Sequence, residues 1–276
     1  MAIQAGKNIG KEKDMVTKIH NLKFLIIILF LFPFFLKGEL TSKKKLLFFF
    51  DKIEVRGSVD VFLKKGKRLR EVTIYADSSI IDNIQTSVSL KTLYIDANNT
   101  YSLARRIPFV RLKAERKYPV EIIVSVEKLK EIRLFENSNL TAEQLTSDNL
   151  KIVSESTGKF HLENSTASKI DVIQLGTGEV ILKGKDTREI EIKNTGNGNL
   201  FASDLNTERA TLIHLGTGNI HLAPTDWLDV RILNSGNLIL HSKPKNLVID
   251  QKGTGLVKDI LPDAESFYED KPTNQN

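Results

Sequence analysis

The chain contains no cysteine, which excludes a disulfide framework, a thiol nucleophile and zinc sites built on thiolates. A lipoprotein attachment point is excluded with them. Larger exported proteins often fold without disulfides, so this absence does not place the chain in the cytosol. Long apolar runs are scarce too. FLIIILFLFPFFL, from Phe24 to Leu36, is interrupted by Pro33 and falls short of the roughly 20 residues of a standard membrane-spanning helix. Preceded by Lys18 and Lys23, it has the proportions of a signal-peptide core. It predicts export to the periplasm, the outer surface or an anchored position in the cell envelope. Starting from Met15, the leader would have the short basic opening MVTKIHNLK. Small-residue cleavage signals are poor, Leu36 with Gly38 or Leu40 with Ser42, so the same run also reads as an uncleaved anchor. The following Lys43, Lys44 and Lys45 read as a solvated linker, with a spacer near a membrane surface as the alternative.

A uniformly basic body, the footprint of a nucleic-acid partner, is also missing. Of the net charge of +6, residues 1–38 hold six Lys/Arg against two Asp/Glu; residues 39–117 hold 17 against 9, and residues 118–276 hold 17 against 23. The body is basic first and acidic later, and no nucleic-acid partner is expected. One insertion concentrates the basic charge around Arg106, Pro108, Phe109 and Arg111. A basic patch interleaved with an aromatic suits a nucleic acid or an anionic glycan, of which export disfavours the first; the favoured reading is an edge-protecting loop, as charged, Pro-containing insertions commonly are.

What the chain has in abundance is repetition. Gly158, Gly178, Gly198 and Gly218 recur every 20 residues, and Gly236 and Gly255 follow after 18 and 19. The units run from LKIVSESTGKFHLEN through KIDVIQLGTGEVILKG and RATLIHLGTGNIHLAP to NLVIDQKGTGLVKDI; LKEIRLFENSNLTAEQ fits the same frame with Ser138 in the glycine position. A fixed period near twenty means stacked coils. Two and four residues after the glycine stand Phe160, Val180, Leu200, Ile220, Leu238, Val257 and Leu162, Leu182, Ala202, Leu222, Leu240. Six and eight before it stand Ile152, Val172, Ile192, Leu212, Val230, Ile249 and Leu150, Ile170, Ile190, Ala210, Leu228, Leu247. Period-two apolar spacing on both sides predicts two inward-facing strands per coil. The expected unit is strand, tight G-T-G corner, strand and polar turn, with glycine supplying corner dihedrals that a Cβ would obstruct. Thr157, Thr177, Asn197, Thr217, Ser235 and Thr254 form a column of small hydrogen-bonding side chains at the corner.

The predicted fold is all-β, a single-stranded parallel β-helix (β-solenoid) with coils of roughly 20 residues. Before the regular coils, FDKIEV, SVDVFLKKG, REVTIYA, KTLYIDA and YPVEIIVSV alternate as half-buried strands, and Ser79 to Gln85 suggests a short helical turn. The expected organisation is a leader or anchor with linker over 1–42, a body over 43–260 with regular coils from 129, and a polar, disordered tail over 261–276.

The opening FDKIEVRGSVDVFLKKG, the later VTIYAD, TLYIDA and YPVEIIV, and the repeated GTGNI-type corners, in this order and spacing, resemble the putative auto-transporter adhesin, head GIN domain family of exported bacterial proteins, common in Bacteroidetes. The resemblance spans about Phe48 to Ile260. It implies a parallel β-helix with an adhesin role and brings no catalytic residues.

Parallel β-helices also host polysaccharide-cleaving enzymes with clustered carboxylates. The nearest match is the outward column of Asp171, Glu191 and Asp229, with Lys193 and Arg231 beside it and Thr211 interrupting it. Cross-strand ion pairing on a solvated face is the favoured reading of that column. His161 and His221 share a column but stand three coils apart, and His214, His221 and His241 fall at different points of the coil, so no metal cluster is expected. The GxG triplets lie between strands with no helix to receive a phosphate. Outward Ile173, Leu175, Ile213, Leu215, Ile181 and Phe201 offer a candidate binding surface or a face covered by a loop; Phe201 and Trp227 offer rings for sugar stacking. The reading is therefore a non-enzymatic exported protein without cofactor that binds a glycan or an envelope protein. The alternatives are a polysaccharide-cleaving enzyme and a self-associating structural component.

Overall fold

The computed structural model describes residues 39–98 and 118–259. The run from Phe24 to Leu36, the insertion with Arg106, Phe109 and Arg111, and the tail from 261 lie outside the described residues. Among the described residues no helix is long and apolar enough to cross a membrane.

Among the described residues, seventeen strands make one continuous sheet wound into a β-solenoid. The regular coils are carried by β10 (Thr146–Ser156), β11 (Phe160–Gln174), β12 (Val180–Asn194), β13 (Leu200–His214) and β14 (Ile220–Ile232), each parallel to the next. The sequence columns are the register: Phe160 pairs with Val180, Leu200 follows Val180, and Ile170, Ile190, Ala210 and Leu228 stand in line. All of these are at most 1% exposed, as period-two alternation against one core requires. Only in the last coil does burial fail. There Leu247 in β16 (Asn246–Gln251) keeps its register with Leu228 yet is 38% exposed, because no further described coil covers that end.

The coil has three inward rows, one more than sequence spacing indicates. The expected polar turn is strand instead: β11, β12 and β13 each run 15 residues without a break. They bend through register shifts, as between Leu162 and Ser165, and through left-handed residues such as Asn164 (φ 49) and Asp186 (φ 60). Leu145, Ser165, Ala167, Thr187, Leu205 and Thr207 are buried along this third row. Small and polar residues suffice there, which hid the row from an apolar pattern search.

The first half departs from sequence order. β2 (Lys52–Arg56) and β3 (Asp60–Lys64) form one coil around Gly57, the glycine with φ +92. That coil lies between β6 (Thr92–Asp96) with β7 (Glu121–Ser125) on one side and β8 (Glu131–Glu136) with β9 (Asn139–Glu143) on the other. Antiparallel strands finish this end: β5 (Gln85–Ser89) on β6, β4 (Glu71–Asp77) on β7, and β1 (Leu40–Leu46) on β4. Lys43–Lys45 are thus strand, not linker; their ammonium groups meet Asp82 at 2.7 Å and Glu71 at 3.8 Å. A Lys-rich outermost strand suits an edge that must resist further pairing. The helical turn expected near Ser79 is a single 3-10 turn, Ile81–Asn83.

Candidate binding surface

The corners and the strand after them decide what faces solvent. At each corner the glycines are needed for space between coils, not for dihedral freedom. A Cβ on Gly178 would lie 1.8 Å from the carbonyl oxygen of Gly158, one on Gly198 2.0 Å from that of Gly178, and one on Gly218 2.1 Å from that of Gly198. Corner amides instead bond the coil below at Gly178 (N to Ser156 O, 3.0 Å), Gly198 (N to Gly176 O, 3.3 Å) and Gly236 (N to Gly216 O, 3.2 Å). The Thr column is exposed and bonds along itself, as in Thr217 Oγ1 to Asn197 Oδ1 at 2.9 Å.

Beneath the corners lies a buried polar column that the sequence reading missed: Ser154, Gln174, Asn194 and His214, none more than 1% exposed. Gln174 Nε2 donates to Gly178 O at 2.8 Å, Asn194 Nδ2 to Gln174 Oε1 at 3.1 Å, and His214 Nε2 to Gly218 O at 2.8 Å. Burial pushes the His214 pKa below its ordinary value, against its hydrogen bonds to backbone carbonyls. The available signal was a polar residue four before the glycine in four successive coils.

Past the corner, the outward column three residues after the glycine reads His161, Ile181, Phe201, His221 and Ile239 in direct register. Phe201 and His221 stack with ring centroids 4.7 Å apart. His221 Nδ1 and His241 Nε2 are 2.9 Å apart, so two histidines expected at unrelated points do meet. Their frame positions differ by two, which places them diagonally on one face of neighbouring strands, within reach of ring side chains. Ile181 and Phe201 floor a shallow groove of about 340 Å³, rimmed by Glu179, Lys183, Ser203 and Asp204. Lys183 stands 3.6 Å from Asp204 and Glu179 is paired with Lys159 at 2.7 Å.

The other aliphatic positions do not join this groove. Ile173 and Ile213 flank Lys193 in register on the strand before the corner. Leu175 and Leu215 are 43% and 37% exposed beside it, as is Leu233 at 41%, which sequence spacing left out. Trp227, 41% exposed, stands beside Arg209 on that strand as well. The candidate residues therefore occupy two faces separated by the glycine corners.

The carboxylate column is an ion-pair cluster. Asp171 and Glu191 are direct neighbours in register, but the cation between them is Lys169, not Lys193 or Arg231. Its ammonium group bonds Glu191 and lies 3.6 Å from both Asp171 and Glu189. The hydrogen bond to Glu191 raises the Lys169 pKa, and the same bond holds the Glu191 carboxyl below its usual range. A proton donor at neutral pH needs a carboxyl shifted upward, so Glu191 is tuned the wrong way for that task. Among the described residues no group of three or more His, Asp or Glu is placed to hold a metal ion.

The family model described as putative auto-transporter adhesin, head GIN domain, matches residues 49–244. Among solved structures, a putative adhesin from Bacteroides fragilis NCTC 9343 aligns with a TM-score of 0.68 at 22% identity, covering 80% of this chain and 97% of its own. A putative adhesin from Parabacteroides distasonis ATCC 8503 aligns at 0.53 and 17%, covering 81% and 98%. A putative lipid binding protein from the same strain aligns at 0.55 and 18%, covering 82% and 98%. At these identities the likeness concerns the fold. No curated protein matches the sequence.

Proposed function

Because the chain belongs to the putative auto-transporter adhesin, head GIN domain family, we propose that it is an exported, non-enzymatic, adhesin-like protein of the cell envelope that binds a glycan along the strand after the corners. The observation that carries this reading is the groove over Ile181 and Phe201. It has an apolar floor with one aromatic ring and a rim of Glu179, Lys183, Ser203 and Asp204. A sugar ring presents an apolar face to stack on an aromatic and hydroxyls to meet such a rim. Adjacent strands lie about 4.8 Å apart, so the column from His161 to Ile239 offers successive saccharide units a rigid, straight track. The inward rows are filled by side chains such as Phe160, Leu200 and Ile220, each 0% exposed. A lipid, as the description of one structural neighbour suggests for that protein, would have to lie on this same outer face.

The test is an array of bacterial and host polysaccharides probed with the full chain and with Phe201→Ala. The wild type should retain a defined set of glycans, and the variant should bind them about tenfold more weakly, a loss of about 1.4 kcal/mol. An array left blank by the wild type at high concentration, or binding indifferent to Phe201→Ala, would remove this reading.

A further inference from the structure

His221 and His241 make a second site beside the groove. Their nitrogens are 2.9 Å apart and their ring centroids 5.2 Å apart, which places both nitrogens on the line between the rings, one proton held between them. His221 belongs to β14, and His241 directly follows β15 (Leu238–Leu240), whose residues pair with that strand from Ile220 to Leu222. The backbone fixes the spacing as well: His241 N donates to Leu222 O at 2.8 Å. Phe201 packs against the His221 ring, with centroids 4.7 Å apart and the planes tilted by 31°. Both imidazoles are half-buried on the outer face.

We propose that this pair is a two-histidine chelate for a late first-row divalent cation, Cu²⁺ above all. Metal–imidazole bonds are about 2.0–2.1 Å long, so two nitrogens 2.9 Å apart subtend about 90° at a shared metal. A right angle belongs to tetragonal Cu²⁺ or Ni²⁺; a tetrahedral Zn²⁺ would need the nitrogens about 3.4 Å apart. When the metal enters, the proton between the rings moves to the outer nitrogen of the donor ring. Both imidazoles then stay neutral and each offers a lone pair; because the two nitrogens start out facing each other, each ring turns by about 45° toward solvent for the lone pairs to converge on a shared metal. Among the described residues no third His, Asp or Glu completes a cluster, so water fills the remaining positions. The site is therefore weaker than closed structural sites and open to exchange. His161 shares the column but stands three coils away, too far to join.

The experiment is a CuCl2 titration of the full chain, prepared without a polyhistidine tag, followed by calorimetry and by electron paramagnetic resonance. The wild type should show one dominant site with two equatorial nitrogen ligands. His221→Ala and His241→Ala should each weaken it at least about tenfold, and His161→Ala should leave it unchanged. Should His221→Ala fail to fold, the spectrum of His241→Ala decides alone, since His241 lies outside the strands and is only half-buried. Equal copper affinity in the wild type and His241→Ala, loss that follows His161→Ala, or no nitrogen-ligated site in the wild type would overturn the proposal. The site stands independently of glycan binding, which is read out separately through Phe201.

Discussion

His214 shows most directly how a residue changes meaning between sequence and structure. Read along the chain it is one of several scattered histidines; in the fold it is 0% exposed and donates from Nε2 to Gly218 O. Burial holds its pKa below the ordinary 6.5, so as pH falls the unfolded chain takes up a proton before the folded one does. Stability is therefore complete above about pH 6.5 and declines as pH drops from there toward the folded pKa. His221 adds to this decline with the same sign, because burial and then the neighbouring His241 lower its pKa. Chemical denaturation between pH 7.5 and 5 should show stability falling with acid in the wild type, with a smaller fall in His214→Gln. Glutamine already serves at Gln174 in the same column, so this variant keeps a donor beneath the corner. Equal slopes for the two proteins would show that His214 titrates normally.

At the scale of the element, the glycine corner is held by close approach between coils. Its glycines were legible, but the reason expected for them, dihedral freedom, was wrong. Only Gly57 has positive φ among the described glycines, whereas a Cβ on Gly178 would sit 1.8 Å from a carbonyl oxygen of the coil below. Gly178→Ala should therefore cost about 3 kcal/mol, with its coil forced away from the one below. Thr177→Ala at the exposed centre of the same corner should cost under about 0.5 kcal/mol. Urea melts of the two variants check the contrast. Similar small losses in both would mean the corner can open freely. The third inward row was illegible for a different reason. Ser165, Thr187 and Thr207 are buried by the bend of long strands, and a bend made of register shifts leaves no apolar period.

For the whole molecule, the two ends differ. Antiparallel β1, β4 and β5 finish the first end, while the described residues stop at β16 and β17 (Val257–Asp259), where Leu247, Val248 and Leu256 are 38–52% exposed. The face before the corners carries apolar positions interrupted by Lys193 and Thr195, both exposed. Such broken patches fall short of a self-complementary interface, which needs a contiguous apolar centre. Sedimentation velocity should give the same species for the wild type and Leu215→Lys. A larger wild-type species that Leu215→Lys dissolves would replace glycan binding with self-association as the leading function.

The sequence by itself determined the solenoid, its period and its inward columns, because burial against a shared core imposes period-two spacing that every coil must repeat. It also marked Ile181 and Phe201 as outward. Only the tertiary structure decided what met what. Coil β2–β3 lies between strands that follow it in the chain, Lys169 enters the carboxylate column from two residues away, and His241 reaches His221 diagonally. These relations depend on register and bend between coils. A linear pattern does not carry them, since the same spacing along the chain permits several alignments across it.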